Sequence, residues 1–214
     1  MHISLPDLPL PISVDLVKSE GAPFPTQQIN GLEVVKASKG TTFQIRLENP
    51  NTIAQTGKPL PRIYLVAIAD GLNIGSLQPV DWTVPAYMQK GFVWKSDSDF
   101  FPQVDFLLGW MLGPKELQKF RFVSPEEGFL AQRNPDLFAL HQHDWCGTIE
   151  IACYVEAPSS FERPTKSFPS GAIGGGEIVD NPYQLNKKPF EFRSFQDSTP
   201  CGKAIIHYEV SEDE

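Results

Sequence analysis

The chain has 214 residues, a formal net charge of −8 and a pI of about 5.0. This acidic balance argues against a nucleic acid or an anionic membrane as the main partner, because both attract positively charged surfaces. A single domain of this length can bury about 70% of its unfolded surface, so it needs no disulfide or metal in order to fold.

The amino-terminal segment, residues 1–28, is apolar and interrupted by prolines. Its first residues lack the basic start and continuous apolar run of a signal peptide, so we expect synthesis in the cytoplasm. No run in the sequence reaches the roughly 18 apolar residues of a membrane-spanning helix, and we expect no membrane partner. Because the segment is too apolar for a solvated tail, we predict an extended arm along its own domain or a neighbouring subunit. Its contact residues would be Leu8, Leu10 and Phe24.

The composition predicts a β-structure, because 20 prolines and 16 glycines interrupt the chain and no long window has helical periodicity. We predict an all-β fold, an antiparallel and jelly-roll-like β-sandwich, over residues 29–157. Residues 32–37 and 41–47 are predicted to form a hairpin around the turn at 38–40. Residues 63–69 are apolar at every position, which indicates a central strand covered on both faces.

Residues 103–122 are predicted to form a strand, a corner and a second strand. An apolar run ends at Gly109-Trp110, and Gly113-Pro114 is a turn signal. In Phe120-Arg121-Phe122, apolar and charged residues alternate with the period of a half-buried strand. Trp110 is large enough to close one end of a core.

Residues 125–131 are predicted to form a short helical turn with Ser124 as its cap. A loop is predicted over 132–147 and a strand over 148–155. Apolar side chains alternate along this strand, so Cys153 is predicted to be a buried small apolar residue. The chain has three cysteines, which cannot all pair within it and favour a reducing compartment.

Residues 158–202 contain three successive glycines and scattered phenylalanines, and they are too many for a simple connection. We predict a second extended arm or long loop, followed by a final strand and an acidic tail over 203–214. The aromatic side chains of this arm are predicted to contact partner proteins: Phe161, Phe168, Phe190, Phe192 and Phe195.

Several short motifs follow one another along the middle of the chain. They are Ala69-Asp70-Gly71-Leu72-Asn73-Ile74, Gly91-Phe92-Val93, Gly109-Trp110 with Phe120-Arg121-Phe122 ten residues later, Phe129 to Asn134, and Gly147-Thr148-Ile149-Glu150-Ile151. Over residues 31–157 this order resembles an uncharacterised bacterial family of small β-sandwich domains. The chain departs from the family at Met111, where arginine is usual. The resemblance implies a fold and no activity.

One cluster, His141-Gln142-His143-Asp144, has residue types that ligate metals. In a strand, His141 and His143 would face the same side, as a metal site requires. The alternative is an exposed loop before the next strand. Asp70 and Asn73 are explained by turn chemistry, since their side chains bond nearby backbone groups.

The leading functional hypothesis is a non-enzymatic structural or assembly protein without a cofactor. Its arms would bind neighbouring subunits, and a virus-particle (capsid-associated) component is the concrete form of this hypothesis, by analogy of fold. The first alternative is a small-ligand or glycan-binding module that uses aromatic side chains for stacking: Trp82, Tyr87, Trp94 and Trp145. The second alternative is a metal-dependent enzyme centred on His141 and His143.

Overall fold

A computed structural model describes residues 2–3, 12–48, 63–81, 90–94, 104–113, 116–155 and 200–211. These residues form two β-sheets that pack face to face, with few helical residues. The predicted all-β sandwich is therefore confirmed.

The first sheet has six strands. Their order is β1-β2-β5-β11-β10, and β9 also pairs with β5. All pairs in this sheet are antiparallel. The strands are β1 (His2–Ile3), β2 (Ile12–Lys18), β5 (Thr42–Glu48), β9 (Val104–Leu107), β10 (Gly109–Met111) and β11 (Leu117–Arg121).

The second sheet has seven strands in the order β3-β4-β13-β12-β6-β7, and β8 also pairs with β6. Strands β4 and β13 run parallel, whereas the other pairs are antiparallel. The strands are β3 (Thr26–Ile29), β4 (Leu32–Ser38), β6 (Ile63–Ala69), β7 (Leu72–Asn73), β8 (Phe92–Trp94), β12 (Thr148–Val155) and β13 (Gly202–Ser211).

The main core lies between the two sheets, where alternate side chains of each strand point inward. In β5 the inward residues are Phe43, Ile45 and Leu47, as the alternation predicted. In β12 Cys153 belongs to the same core and is fully buried, which confirms its predicted role as a small apolar side chain. Burial raises the pKa of its thiol.

The predicted hairpin of residues 32–37 and 41–47 is wrong. Strands β4 and β5 lie in different sheets, and the turn between them carries the chain from one sheet to the other. The Lys39 N–H donates to the Ser211 carbonyl, whereas the Gly40 N–H donates to the Phe122 carbonyl. Each end of the turn is therefore bonded to its own sheet.

The strand, corner and strand predicted over 103–122 are confirmed, with β10 and β11 as an antiparallel pair. Trp110 is buried and packs edge-on against Phe120, at 5.7 Å between ring centroids. Phe120 is buried and Arg121 is exposed, as the alternation predicted. A Cβ atom at Gly109 would lie 2.1 Å from the Gln118 carbonyl oxygen, so only glycine fits at this position of the pair.

The described part of the amino-terminal segment is built into the sandwich of its own chain. Strand β2 pairs with β5 from Ser13 to Lys18, and it buries Ile12, Val14 and Leu16. Phe24 is also buried and packs edge-on against Phe122, at 5.4 Å between ring centroids. Phe24 is therefore a core residue and not a partner contact.

The loop predicted over 132–147 is wrong, because these residues are largely helical. A 3-10 turn (Pro125–Glu127) is followed by helix α1 (Phe129–Arg133) and helix α2 (Pro135–Trp145). The start of α2 has recognisable signals, since proline is favoured in the first helical turn and Asp136 adds a negative charge there. The helices pack on one end of the core through Leu130 and Phe138.

Strand β6 is buried at every residue, which confirms the prediction of a strand covered on both faces. Its outward side chains form a second apolar cluster with those of β12. Val80 packs against this cluster. The cluster consists of Tyr64, Val66, Ile68, Ala152 and Tyr154.

Candidate functional surfaces

The two histidines predicted as metal ligands lie on helix α2 and not on a strand. Residues two positions apart on a helix point about 200° apart around the axis, so His141 and His143 face opposite sides. His141 is partly buried and His143 is exposed. The predicted metal site required both histidines on one side of a strand. That predicted placement is therefore wrong. Within the described ranges no three histidine, cysteine, aspartate or glutamate side chains are grouped as metal ligands would be.

Trp145 ends helix α2 and is enclosed on more than one side. The His141 ring stacks on it, at 4.2 Å between centroids and 11° between planes. A Cβ atom at Gly71 would lie 2.3 Å from the indole, so the glycine backbone abuts the ring. A sugar could stack on this face of Trp145 only by displacing His141.

The other predicted ligand-binding and partner-binding residues are only partly within the described chain. Trp94 belongs to strand β8, which pairs with β6. The remaining predicted residues lie outside the described ranges: Leu8, Leu10, Trp82, Tyr87, Phe161, Phe168, Phe190, Phe192 and Phe195.

A polar network joins the Asp70-Gly71 turn to β12 and β13. The Tyr208 hydroxyl donates to both carboxylate oxygens of Asp70, at 2.7 and 2.8 Å. The Gly147 N–H donates to the same carboxylate at 3.0 Å, and the Asp70 N–H donates to the Thr148 carbonyl at 3.0 Å. The turn at Asp70 is therefore held by residues 77 and 138 positions away in sequence.

Burial raises the pKa of Asp70 to about 6, because desolvation outweighs the hydrogen bonds from Tyr208 and Gly147. Burial and the neighbouring Asp70 charge also raise the pKa of Tyr208 well above its ordinary value. Burial raises the pKa of Cys146, beside this pair, to about 11. A thiol with so high a pKa is a poor nucleophile at neutral pH.

Asn73 is the second polar residue of the turn and is buried. Its Oδ1 accepts from the Gly75 and Ser76 N–H groups, at 2.8 and 3.1 Å, and its Nδ2 donates to the Lys90 carbonyl at 2.7 Å. Both polar atoms of the amide are thus used in holding the chain after β7, in agreement with the predicted turn chemistry.

A shallow groove of about 420 Å³ lies beside the turn between β4 and β5. Its walls include Lys39, Arg121 and Gln132. The Lys39 Nζ is already paired with Glu127, at 3.0 Å. The positive charge of Lys39 in the groove is therefore neutralised by Glu127 of the same chain.

The outer face of the seven-stranded sheet also carries exposed apolar side chains beyond the buried second cluster. Leu32 of β4 is 49% exposed and Ile205 of β13 is 38% exposed. Ile29 of β3 is partly exposed and is the direct partner of Leu32. In the parallel register of β4 and β13, Val34 is the partner of His207, and extending this register by two residues brings Leu32 to the level of Ile205. We call Ile29, Leu32 and Ile205 the outer apolar row.

Two salt bridges lie on the same face of the sheet as this row. Lys36 pairs with Glu209, and Lys203 pairs with Glu150 at 3.5 Å. Charged pairs around an apolar centre are the usual arrangement of a protein–protein contact surface.

Strand β3 forms an edge of the seven-stranded sheet. Its partner on one side is β4, and no strand of the described chain pairs with its other side. Thr26, Gln27 and Gln28 are exposed. The hairpin of β3 and β4 has a local signal in the sequence, since Asn-Gly is the strongest short signal for a two-residue β-turn. Asn30 and Gly31 have φ angles of 51° and 81°.

None of the helices in the described chain is long and apolar enough to cross a membrane. Comparisons with protein-family models, with curated proteins and with solved structures found no match. The resemblance to a bacterial β-sandwich family therefore stays a prediction from the motifs.

Proposed function

We propose that this chain is a non-enzymatic assembly protein that binds neighbouring protein subunits through the outer face of its seven-stranded sheet. The observation that carries the proposal is the outer apolar row. In a sandwich that works alone, the outer faces of the sheets are polar. Here Leu32 and Ile205 are exposed apolar side chains on the outer face of the seven-stranded sheet, and Ile29 beside them is partly exposed.

The chemistry of the polar groups agrees with a binding role. The Asp70 carboxylate already accepts hydrogen bonds from the Tyr208 hydroxyl and the Gly147 N–H, and the Cys146 thiol is held protonated. Both groups are thus used for structure. The apolar row, flanked by the pairs Lys36–Glu209 and Lys203–Glu150, offers the contact surface instead.

The concrete form of the proposal is a subunit of a repeated particle, such as a virus particle. The outer apolar row fits a chain that is surrounded by neighbours, and the predicted arm residues other than Phe24 would add contacts to those of the sheet. The net charge of −8 favours protein neighbours over nucleic acid as the main partner.

Charge introduced into the row tests this proposal. In Leu32→Lys and Ile205→Lys the lysines would have to be desolvated at a contact between subunits, which is costly. We expect both variants to lower the average mass measured by light scattering at a given concentration. The matched control is Leu140→Lys, because Leu140 is 73% exposed but lies on helix α2, outside the outer apolar row.

Circular dichroism of each variant would establish that the fold is kept. If the two row variants have the same mass as the wild-type protein and the Leu140→Lys control, the outer apolar row is not a contact surface. The proposal in this form would then be wrong.

A further inference from the structure

We propose that strand β3 pairs with β3 of a second copy of this chain across a two-fold axis, so that two seven-stranded sheets join into one. This inference rests on the proposed assembly function and names the partner and the register. It is carried by the geometry of the β3 edge: its hydrogen-bonding pattern, its lack of charge and its continuity with the outer apolar row.

The hairpin decides which backbone groups of β3 face the open edge. Its two-residue turn makes Ile29 and Leu32 a hydrogen-bonded pair, and such pairs alternate along antiparallel strands. The Lys36 N–H donates to the Pro25 carbonyl at 2.9 Å, which agrees with this alternation. Ile29 and Gln27 therefore direct their backbone groups towards β4. Thr26 and Gln28 direct theirs away from it.

The two outward residues make the edge complementary to itself. In an antiparallel pair, two residues that exchange both hydrogen bonds lie opposite each other. Thr26 of one copy can thus pair with Gln28 of the other, and Gln28 with Thr26, which gives four backbone hydrogen bonds. This register places the two-fold axis at Gln27. The Gln27 side chains of the two copies then lie opposite each other on the outer face of the joined sheet.

Strand β3 is short, but it lacks three other features that usually prevent such pairing. Exposed edge strands are commonly protected by charged side chains, by an internal proline or by a bulge. Strand β3 reads Thr-Gln-Gln-Ile, and Pro25 lies just before it. A contact between two copies of an acidic chain requires an uncharged surface, and β3 provides one.

The same register extends the outer apolar row across the axis. Gln27 and Ile29 share the outer face of β3, because side chains alternate along a strand. Each Ile29 then lies opposite Pro25 of the other copy, and the rows of the two copies lie on one continuous face. A four-residue edge buries less area than a standard protein interface, so we expect a concentration-dependent dimer with a dissociation constant of about 1 μM or weaker.

A charge-swap experiment tests the partner and the register together. Gln27→Lys places two lysines opposite each other across the axis, and Gln27→Glu places two glutamates there. We expect each variant alone to dimerise about twofold to fivefold more weakly than wild type, because like charges directly opposite each other repel. An equimolar mixture should restore dimers, now as Lys–Glu heterodimers that native mass spectrometry identifies. Gln118→Lys and Gln118→Glu, at an exposed position of β11, are the matched controls.

A second variant tests the backbone without a charge. Gln28→Pro removes an N–H that faces the open edge while leaving the bonds to β4, and it should abolish dimers with the circular dichroism spectrum retained. If wild type associates but neither the Gln27 nor the Gln28 variants change its mass, the β3 pairing is wrong and the assembly function stands. If wild type stays monomeric at all concentrations, both are wrong.

Discussion

The Tyr208 hydroxyl lies 2.7 and 2.8 Å from the two carboxylate oxygens of Asp70, although the residues are 138 positions apart. This contact fastens the turn after β6 to the middle of β13. Because the Gly147 N–H also donates to Asp70, one carboxylate joins three strands of the seven-stranded sheet. The sheet that we propose as the contact surface is thus held at this end by a titratable group.

The stability of the fold should depend on the protonation of Asp70. Its pKa is about 6 in the folded chain, against an ordinary value of 3.8, so the folded state binds the proton more tightly than the unfolded state. The contribution of protonated Asp70 to the free energy of unfolding is complete below pH 3.8 and is lost as the pH rises through 6. We expect Asp70→Asn to lose this dependence, which amounts to about 1–3 kcal/mol.

Urea denaturation of both proteins at pH 4 and pH 7.5 measures this effect. The free energy of unfolding of wild type, relative to that of Asp70→Asn, should be higher at pH 4 than at pH 7.5. Glu20→Gln is a suitable control, because Glu20 is exposed. A constant difference across this pH range would contradict the raised pKa.

Gly71 should tolerate a side chain less well than Gly31, although both occupy the second position of similar turns. Their φ angles are 77° and 81°, so alanine is strained at either position. At Gly31 a Cβ atom would meet nothing within 4 Å, whereas at Gly71 it would lie 2.3 Å from Trp145. We expect Gly31→Ala to cost about 1–2 kcal/mol and Gly71→Ala about 1–3 kcal/mol more. Equal losses in thermal unfolding would show that Trp145 does not abut the turn.

Gly109 should be sensitive to substitution because of the backbone opposite it. A Cβ atom there would lie 2.1 Å from the Gln118 carbonyl oxygen, whereas at Gly113 it would lie 3.7 Å from the Glu116 side chain. We expect Gly109→Ala to separate β10 from β11 and to lower the unfolding free energy by more than about 2 kcal/mol. Gly113→Ala should stay within about 1 kcal/mol of wild type. Chemical denaturation of the two variants gives the comparison.

Phe24 should behave as a core residue in spite of its place in the predicted arm. The ring is 7% exposed and packs against Phe122. Phe24→Ala should therefore lower the unfolding free energy by about 3–5 kcal/mol, with little effect on association of the protein that remains folded. Leu140→Ala, at an exposed position, is the control. Weaker association without loss of stability would return Phe24 to a role as a partner contact.

Strand identity was predictable where burial follows a local period. Strand β5 alternates clearly, strand β6 is apolar throughout, and the Trp110 to Phe120 spacing marks the pair β10–β11. These patterns depend only on which side of a strand faces the core, and a sequence records that directly.

The pairing of strands was less predictable, because alternation does not say which sheet a strand joins. The turn at 38–40 is compatible with a hairpin, yet it connects the two sheets. The hydrogen bond from the Lys39 N–H to the Ser211 carbonyl holds the first end of this turn in the seven-stranded sheet, and Ser211 lies near the other end of the chain. The hairpin of β3 and β4, by contrast, had a local signal in Asn30-Gly31.

The polar network could not be predicted from its own segments. Asp70 looked like a turn residue, and it is one, but its burial comes from helix α2 and strand β13. Helix α2 was not predicted because none of its residues is fully buried, so its apolar periodicity is weak. Its start at Asn134-Pro135-Asp136 was the available signal.

The mass of the wild-type protein in solution tests the central claim most directly. Sedimentation equilibrium over about 1 to 500 μM spans the range of affinity expected of an edge contact. The proposed assembly predicts a mass that rises with concentration from the monomer, 23.9 kDa, towards the dimer or beyond. A mass that stays at the monomer value over the whole range would contradict it.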